Sequence, residues 1–326
     1  MYPLKFENLY YEKIWGGRDL ELFRDNLPEG NIGESWDVAC HLHGTSIVAN
    51  GELKGTKLDE LIRLKGKKLI GTKISTEWFP LLIKLIDTKD KLSVQVHPDN
   101  QYGKEVEGEM GKTEVWYVME AFEGANLILG TKEGCTKEKF EKAIKEGNLD
   151  KYIYEIPVKK GEVYFVKSGL IHSIGRGVII AEIQQNSDTT YRVYDYNRGR
   201  KLHINRALDV VDFSLYGNKS TGLKTERVGY NKTYLCLCED FSLELYDVKK
   251  YFTEVSDVER FYVFTCVEGQ GKIVYKEGFQ GIKKGDSVLI PATLGEYTFK
   301  GEMKVLKSYV PDIKKVEEDI LHEVKK

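Results

Sequence analysis

The most informative stretch of this chain is Val94-Gln95-Val96-His97-Pro98-Asp99-Asn100, followed by Lys112-Thr113-Glu114 and later by Ser168-Gly169-Leu170-Ile171-His172-Ser173-Ile174. Side chains two residues apart in a strand share a face, so Gln95 and His97 would project together into a barrel interior. Lys112 and Glu114 would do the same on a neighbouring strand, and His172 would arrive from a third. The pattern therefore predicts a metal site built on a β-barrel.

The candidate metal ligands are Gln95, His97, Glu114 and His172. Two imidazole nitrogens, one carboxylate oxygen and one amide oxygen suit a borderline cation such as Zn²⁺, with a position left for water or substrate. A neutral amide is a weak ligand, which favours Lewis-acid chemistry over iron held through redox cycling. Each residue alone is common in a hydrogen-bonded core or on a solvated strand, so the prediction depends on the combination.

Length and composition set the broad class of the protein. The 326 residues exceed a usual single domain, so two units are expected. The formal net charge of −2 gives no general attraction to nucleic acid or to an anionic membrane. No apolar run approaches a membrane span, and the first residues lack the apolar core of a signal peptide, so we expect a cytoplasmic protein. The five scattered cysteines are expected to be reduced and structural.

Short strand-like runs dominate the chain and predict a mainly β fold of jelly-roll barrels. They are rich in Val, Ile, Tyr and Phe and lie at residues 45–49, 92–96, 114–119, 125–129, 163–166, 178–184, 189–196, 243–248, 260–267, 271–275, 287–290 and 304–310. Helical patterns are fewer. One begins near Leu58, and another follows the potential cap Thr136 and ends before Gly147, whereas the charged C-terminal segment 313–326 fits either a peripheral helix or a fraying tail.

An internal repeat in the sequence suggests two related barrels. Residues 159–166 (KKGEVYFV) and 283–290 (KKGDSVLI) both read as a turn followed by a buried strand. The first copy continues to His172, whereas the second continues to Pro291 without a histidine. We therefore predict a metal-binding unit with flanking helices over residues 1–220 and a metal-free unit over 221–326, with the boundary in the polar stretch 216–231.

A second constellation, residues 188–198, is polar and cationic. With strict alternation, one face would carry Asp188, Thr190, Arg192, Tyr194 and Arg198. Such a face lines either solvent or a polar cavity, and the following basic residues 198–201 favour a cavity that holds an anion. Lys112, on the same face as Glu114, could lose its proton more readily beside a metal and act as an acid or base, unless it is simply a surface lysine in a loop.

Five motifs follow one another along the chain: Ile14-Trp15-Gly16-Gly17, Ile32-Gly33-Glu34-Ser35-Trp36, Leu92-Ser93-Val94-Gln95-Val96-His97-Pro98, Gly111-Lys112-Thr113-Glu114 and Gly169-Leu170-Ile171-His172. Together they closely resemble the type I phosphomannose isomerases, the zinc-dependent mannose-6-phosphate isomerases of the cupin superfamily. They stand in the family's order, and the chain is similar to the short bacterial form because it has no room for a large helical insertion. The resemblance implies two cupin barrels, of which the second is metal-free.

The resemblance also implies roles for individual residues. It makes Gln95, His97, Glu114 and His172 the ligands of one Zn²⁺ per chain, Arg192 the active-site arginine and Lys112 part of the catalytic pocket. Trp15, Ser93, Lys84 and Asp188 match positions that bind substrate, and Arg198 falls where longer members carry a lysine, so its role is open.

The implied reaction interconverts mannose 6-phosphate and fructose 6-phosphate through a cis-enediol, which places the protein in carbohydrate metabolism with a sugar phosphate as its partner. Such a reaction needs stabilisation of a developing oxyanion and a base that moves a proton between two carbons. Lys112, a zinc-bound water or Asp188 could provide the base. Two rivals stay open: an iron or manganese cupin dioxygenase, and a non-catalytic sugar-binding cupin. The sequence does not fix the oligomeric state.

Overall fold

Short runs of β-branched and aromatic residues form antiparallel strands through most of the chain, and the computed structural model describes residues 1–324. The first part contains β1 (Leu4–Lys5), β2 (Leu9–Gly17), β3 (Ile32–Val38), β4 (Cys40–His41), β5 (Gly44–Thr45), β6 (Leu81–Thr88), β7 (Val94–Val96), β8 (Glu114–Ala121), β9 (Asn126–Thr131), β10 (Ile153–Pro157), β11 (Val163–Val166), β12 (His172–Ile174), β13 (Val178–Gln185) and β14 (Tyr191–Tyr194). The second contains β15 (Leu223–Arg227), β16 (Tyr230–Leu237), β17 (Ser242–Val248), β18 (Tyr251–Val255), β19 (Tyr262–Tyr275), β20 (Gly278–Lys283), β21 (Ser287–Ile290) and β22 (Glu296–Tyr309). The predicted mainly β fold is confirmed.

Helices occupy the connections between strands. They are α1 (Leu58–Lys65), α2 (Lys67–Ile70), α3 (Asn100–Tyr102), α4 (Lys137–Glu146), α5 (Ile204–Val210) and α6 (Ile313–Val324). The two internal helical predictions are confirmed, and the C-terminal segment adopts the helical alternative over Ile313–Val324. Thr136 caps α4 by accepting a hydrogen bond from the Lys139 N–H, and Gly147 ends it in the left-handed conformation. Within the described residues, no helix is long and apolar enough to cross a membrane.

Two sheets build the first unit. One has the strand order β10-β9-β12-β7-β14, and the other has the order β11-β8-β13-β6-β2-β3. The second unit is a nine-stranded sheet with the path β1-β21-β19-β22-β17-β16-β15, to which β18 and β20 add at β22 and β19. The polar interior site of the first unit lies among residues of its two sheets, as described below.

The two units share strands and core. The N-terminal strand β1 pairs with β21 of the second unit. Side chains of β6 such as Ile83 also lie in one hydrophobic cluster with Val263 and Leu306 of the second sheet. The second unit therefore pairs with the first unit and packs against it. The division into a metal-binding unit over residues 1–220 and a metal-free unit over residues 221–326 stays a prediction.

The internal repeat, residues 159–166 and 283–290, forms the same turn in both units. Gly161 and Gly285 have φ values of +85° and +90°, a conformation that favours glycine. In each copy the acidic residue after the glycine accepts a hydrogen bond from the first lysine's N–H, at 2.8 Å for Glu162 and 2.9 Å for Asp286. The strands β11 and β21 follow, as predicted.

The interior of the second unit holds ion pairs. The Glu254 carboxylate accepts hydrogen bonds from Lys307 Nζ at 2.7 Å and from Tyr297 Oη at 2.8 Å. Glu244 similarly accepts from Tyr309 at 2.7 Å. Burial by itself would raise the pKa of Glu254, but the adjacent Lys307 ammonium outweighs it and lowers the pKa to about 2. These charges therefore compensate one another inside the barrel.

We expect the Glu254→Gln substitution to destabilise the protein by about 3 to 5 kcal/mol, because it removes the carboxylate that is hydrogen-bonded to the buried Lys307 ammonium. Urea unfolding followed by circular dichroism measures the change. Glu268→Gln, which removes the partly exposed partner of Lys304, is the control and should cost less than about 1 kcal/mol. Equal unfolding midpoints for the two variants would contradict the expectation.

Candidate metal centre and active site

Three adjacent strands of the five-stranded sheet place predicted site residues side by side. His172 on β12 pairs with Gln95 on β7, and Gln95 pairs with Arg192 on β14. Cross-strand partners on one face have Cβ atoms about 5 Å apart. A row of imidazole, amide and guanidinium groups therefore crosses the sheet at the level of the predicted metal site.

Glu114 approaches from the other sheet. It begins β8, which lies between β11 and β13, so the prediction that Lys112 and Glu114 occupy a strand next to Gln95 is wrong. Glu114 instead faces the histidines across the interior, with its two oxygens 3.7 Å from His97 Nε2 and 3.5 Å from His172 Nε2. The two Nε2 atoms are 3.1 Å apart. Long-range closure of two sheets, which no local pattern encodes, brings the three groups together.

The two histidines are oriented by backbone carbonyls. His97 Nδ1 lies 2.8 Å from the Thr189 carbonyl oxygen, and His172 Nδ1 lies 2.8 Å from that of Leu170. A protonated Nδ1 donates to each carbonyl, which leaves the Nε2 lone pairs directed at Glu114. Burial lowers the pKa of His97 well below its ordinary value and that of His172 to about 3. Both rings are therefore neutral at pH 7, as metal ligands must be.

The donor set fits a divalent cation. Among the described residues, His97, Glu114 and His172 form the one cluster of its kind whose ligand atoms all lie within 4.8 Å of one another. Glu114 Oε1 is buried and has no hydrogen-bond partner in the described part of the chain, although an isolated buried carboxylate oxygen is costly. A cation between the imidazoles would satisfy it.

Gln95 is close enough to complete the set. Its amide nitrogen lies 3.3 Å from His172 Nε2, while its oxygen accepts a hydrogen bond from Ser93. A half-turn of the amide about its last side-chain bond exchanges the two atoms and would present the oxygen as a ligand. The geometry is thus compatible with the predicted fourth ligand.

A cavity of about 120 Å³ opens beside the ligand cluster. The predicted site residues that line it are Trp15, Lys84, Ser93, Gln95, Lys112, His172, Asp188 and Arg192. Asp188 also borders a larger outer cavity of about 710 Å³ and lies 3.2 Å from His43 Nδ1. Residues from Trp15 to Arg192 therefore line the inner cavity, and the larger outer cavity adjoins it at Asp188.

Arg198 lies outside the inner cavity. The register shifts between Arg192 and Tyr194, and Tyr196 and Asn197 have positive φ values, so the alternation predicted over residues 188–198 stops at Arg192. Arg198 is paired with Asp195 at 2.9 Å and with Asp90. The prediction that it shares a face with Arg192 is wrong, and the cavity gives no support to a substrate-binding role for it.

Arg192 presents a cation to the cavity. Its Nε is buried and has no hydrogen-bond partner among the residues described. Burial, followed by repulsion from Arg200, lowers the pKa of Arg192, but a guanidinium stays charged at neutral pH. A guanidinium with spare donors in a cavity is suited to bind an anionic ligand.

Lys112 is held against the ligand cluster. Its Nζ lies 2.7 Å from Glu114 Oε2 and 3.0 Å from His97 Nε2, and its backbone N–H donates to the Pro98 carbonyl. It is buried, so the surface-loop alternative is wrong. A lysine ammonium that lines the cavity and touches a ligand is in position to handle a proton on the substrate.

Two buried carboxyl groups that the sequence reasoning missed also line the cavity. Glu34 and Glu182 each have an oxygen 3.7 Å from Lys84 Nζ. Burial by itself would raise the pKa of Glu34, but Lys84, Lys13 and the Trp36 N–H together lower it to about 2. Burial and repulsion from Glu114 raise the pKa of Glu182 to about 6. A lone acidic residue within the apolar run of β13 was the available signal for Glu182.

Comparisons with known proteins agree with this architecture. Residues 4–123 match the family described as phosphomannose isomerase type I, catalytic domain, and residues 230–310 match the mannose-6-phosphate isomerase cupin domain. A mannose-6-phosphate isomerase of Streptococcus mutans is 38% identical over 314 residues, which cover 94% of this chain and 98% of the relative. The corresponding values for the Bacillus subtilis mannose-6-phosphate isomerase ManA are 35% over 315 residues, 94% and 99%. A crystal structure of the Bacillus subtilis mannose 6-phosphate isomerase superposes with a TM-score of 0.88 at 33% identity and covers 94% of this chain and 99% of that one.

Proposed function

The chain belongs to the type I mannose-6-phosphate isomerase family, and we propose that it interconverts mannose 6-phosphate and fructose 6-phosphate with one Zn²⁺ ion at Gln95, His97, Glu114 and His172. The observation that carries the proposal is the buried His97, Glu114 and His172 cluster, which opens on a cavity with Lys112 and Arg192. A cytoplasmic location, and a sugar phosphate rather than a nucleic acid or membrane as partner, follow as expectations from composition and family.

The donor types support zinc over the alternatives. Two neutral imidazoles and a carboxylate are the set found in many catalytic zinc sites, and an amide as fourth group weakens the case for a redox metal. When bound, Zn²⁺ would supply Lewis-acid stabilisation of negative charge that develops on the sugar oxygens. His97 and His172 are held through backbone carbonyls, so their Nε2 atoms are oriented before the ion arrives, whereas the Gln95 amide would turn to present its oxygen.

Arg192 would bind and stabilise negative charge on the substrate. The sugar phosphate is dianionic near neutral pH, and its cis-enediol form places further negative charge on an oxygen as the proton moves. Arg192 offers guanidinium donors at the cavity wall, and fixed donors in a site with little water stabilise a developing oxyanion strongly. Its neighbour Arg200 is held by Asp195 at 2.9 Å and adds positive charge to the same wall.

Lys112 and Asp188 are the candidates for the proton transfer. Aldose–ketose isomerisation requires one group to take the proton from carbon 2 and return it to carbon 1 on the same face of the enediol. Lys112 lies at the ligand cluster, and Asp188 lies at the border with the outer cavity. We assign part of the proton handling to Lys112, because it is buried, lines the inner cavity and contacts the ligand cluster.

The first test is formation of fructose 6-phosphate from mannose 6-phosphate by the purified protein, before and after treatment with a chelator. We expect turnover that the chelator abolishes and added Zn²⁺ restores. Iron bound with oxygen consumption would favour a cupin dioxygenase. Absence of turnover in the zinc-loaded protein would contradict the isomerase and favour a sugar-binding role.

A further inference from the structure

One carboxylate oxygen of Glu109 accepts hydrogen bonds from a segment that lies far along the chain. Its Oε2 accepts hydrogen bonds from Ser187 Oγ at 2.9 Å and from Thr189 Oγ1 at 2.9 Å, and the Asp188 backbone N–H lies 3.3 Å away. These partners are 78 to 80 residues further along the chain. Its other oxygen, Oε1, lies 3.4 Å from His41 Nε2. One side chain thus fixes three consecutive residues.

The segment that Glu109 holds reaches the active site at two points. The Thr189 carbonyl is the group that accepts from His97 Nδ1 and so directs His97 Nε2 at the ligand cluster. The Asp188 side chain lines the inner cavity. A displacement of residues 187–189 would therefore move a metal ligand and a cavity carboxylate together.

We propose that Glu109 is a positioning residue for this reaction, which sets the orientation of His97 and the place of Asp188 through its hydrogen bonds to residues 187–189. The proposal rests on the metal role given to His97 above. Glu109 lines the outer cavity but not the inner one, and it makes no direct contact with the ligand cluster, so its effect on that cluster is transmitted through Thr189 and Asp188.

The chemistry of the contact requires an ionised carboxylate. All the partners of Oε2 are donors, and a single carboxylate oxygen can accept several hydrogen bonds. Burial alone would raise the pKa of Glu109, but the hydrogen bonds from Ser187 and Thr189 prevail and lower it, so the group stays charged. A glutamine in its place would offer one weaker acceptor and introduce donors that face Ser187 and Thr189 or His41.

The backbone around Glu109 fixes where the carboxylate points. Gly108 adopts a left-handed conformation with φ of +69°, and a Cβ atom at Gly111 would lie 2.5 Å from the backbone carbon of Asp99. The left-handed backbone at Gly108 and the close packing at Gly111 therefore restrict the loop on both sides of Glu109. It leads directly into Lys112 and Glu114, which ties the positions of three functional side chains to one short segment.

The test compares Glu109→Gln with Glu105→Gln, an exposed residue of the same segment whose side chain bonds Gln101. Zn²⁺ affinity is measured by competition with a chromophoric chelator, and turnover is measured on the zinc-saturated enzyme. We expect Glu109→Gln to weaken zinc binding by about 10-fold or more and to lower kcat more than it changes KM. Glu105→Gln should match the native protein.

Two further measurements separate positioning from general damage. In imidazole-¹⁵N-labelled protein, we expect the His97 Nδ1–H proton to exchange with solvent faster in Glu109→Gln, while the His172 signal is unchanged. Thr189→Val should reproduce part of the loss of zinc affinity and kcat. In the Glu109→Gln background it should cause a smaller further loss than it does alone, because both substitutions remove the same Glu109–Thr189 hydrogen bond.

The outcomes are distinguishable. If the native protein binds zinc and turns over substrate but Glu109→Gln equals Glu105→Gln in zinc affinity, kcat and histidine exchange, the positioning role is overturned and the isomerase assignment stands. If the native protein neither binds zinc nor turns over mannose 6-phosphate, the metal role of His97 fails, and this proposal fails with it. Additive effects of the Glu109 and Thr189 substitutions would also overturn it.

Discussion

The His97→Ala variant is expected to lose isomerase activity by at least about 10³-fold. Removal of this imidazole takes away one of three buried ligand groups and leaves Glu114 and His172 to hold the cation with a weak amide. Lewis-acid assistance is worth several kcal/mol, and loss of the ion removes all of it. Turnover and zinc content after dialysis measure the result.

The matched control for this substitution is His322→Ala. His322 is an exposed histidine of α6, so its removal should leave zinc content and turnover unchanged. Near-UV circular dichroism would verify that His97→Ala retains its tertiary packing. Native turnover by a zinc-free His97→Ala protein would show that the ligand cluster has no part in the reaction.

The fold was predictable where strands are short and bounded by turns. The strand at β13 was placed to within one residue because β-branched side chains fill it, and the turn at Gly161 and Gly285 was found from its repeat. The strand β6 was missed, since an apolar run buried on both faces has no alternation to detect. The strand β19 was predicted as two pieces because Gly269, at φ of +73°, resembles a turn within a continuous but irregular strand.

The active site was predictable in its residue types but less so in its arrangement. His97 and His172 each follow a local strand pattern, so the sequence identified them without knowledge of the partner strand. The position of Glu114 across the interior depends on how two sheets close, and the turn that diverts Arg198 depends on positive φ at Tyr196 and Asn197. The role proposed for Glu109 joins residues about 80 apart, a separation that alternation within a strand does not report.

The two units repeat one local structure around different interiors. Both have the glycine turn in which an acidic side chain accepts a backbone hydrogen bond. The first interior places neutral imidazoles around a carboxylate with an oxygen left unsatisfied. The second compensates Glu254 with Lys307 and tyrosine hydroxyls. Both carboxylates have a lysine neighbour, since Lys112 contacts Glu114, so the two neutral imidazoles beside Glu114 are what distinguish the first interior.

The second large effect is expected from Lys112→Met, which removes the ammonium group and keeps an unbranched side chain of similar length. Lys112 Nζ lies 2.7 Å from Glu114 Oε2, where a positive charge competes with a metal cation for the carboxylate. Its loss should therefore leave zinc bound, or bound more tightly, while turnover falls by about 10² to 10⁴-fold, the range of a lost general acid or base. A drop in activity with the metal retained separates this variant from His97→Ala.

Loss of deuterium from carbon 2 of labelled mannose 6-phosphate to solvent, measured with zinc saturating, would tell whether Lys112 or Asp188 moves the proton. If Lys112 does, Lys112→Met slows this exchange in parallel with turnover, and the exposed-lysine control Lys104→Met does not. If Lys112→Met turns over normally while Asp188→Asn loses exchange, the base is Asp188. In that case Lys112 has no essential part in turnover, although its ammonium group contacts the Glu114 carboxylate.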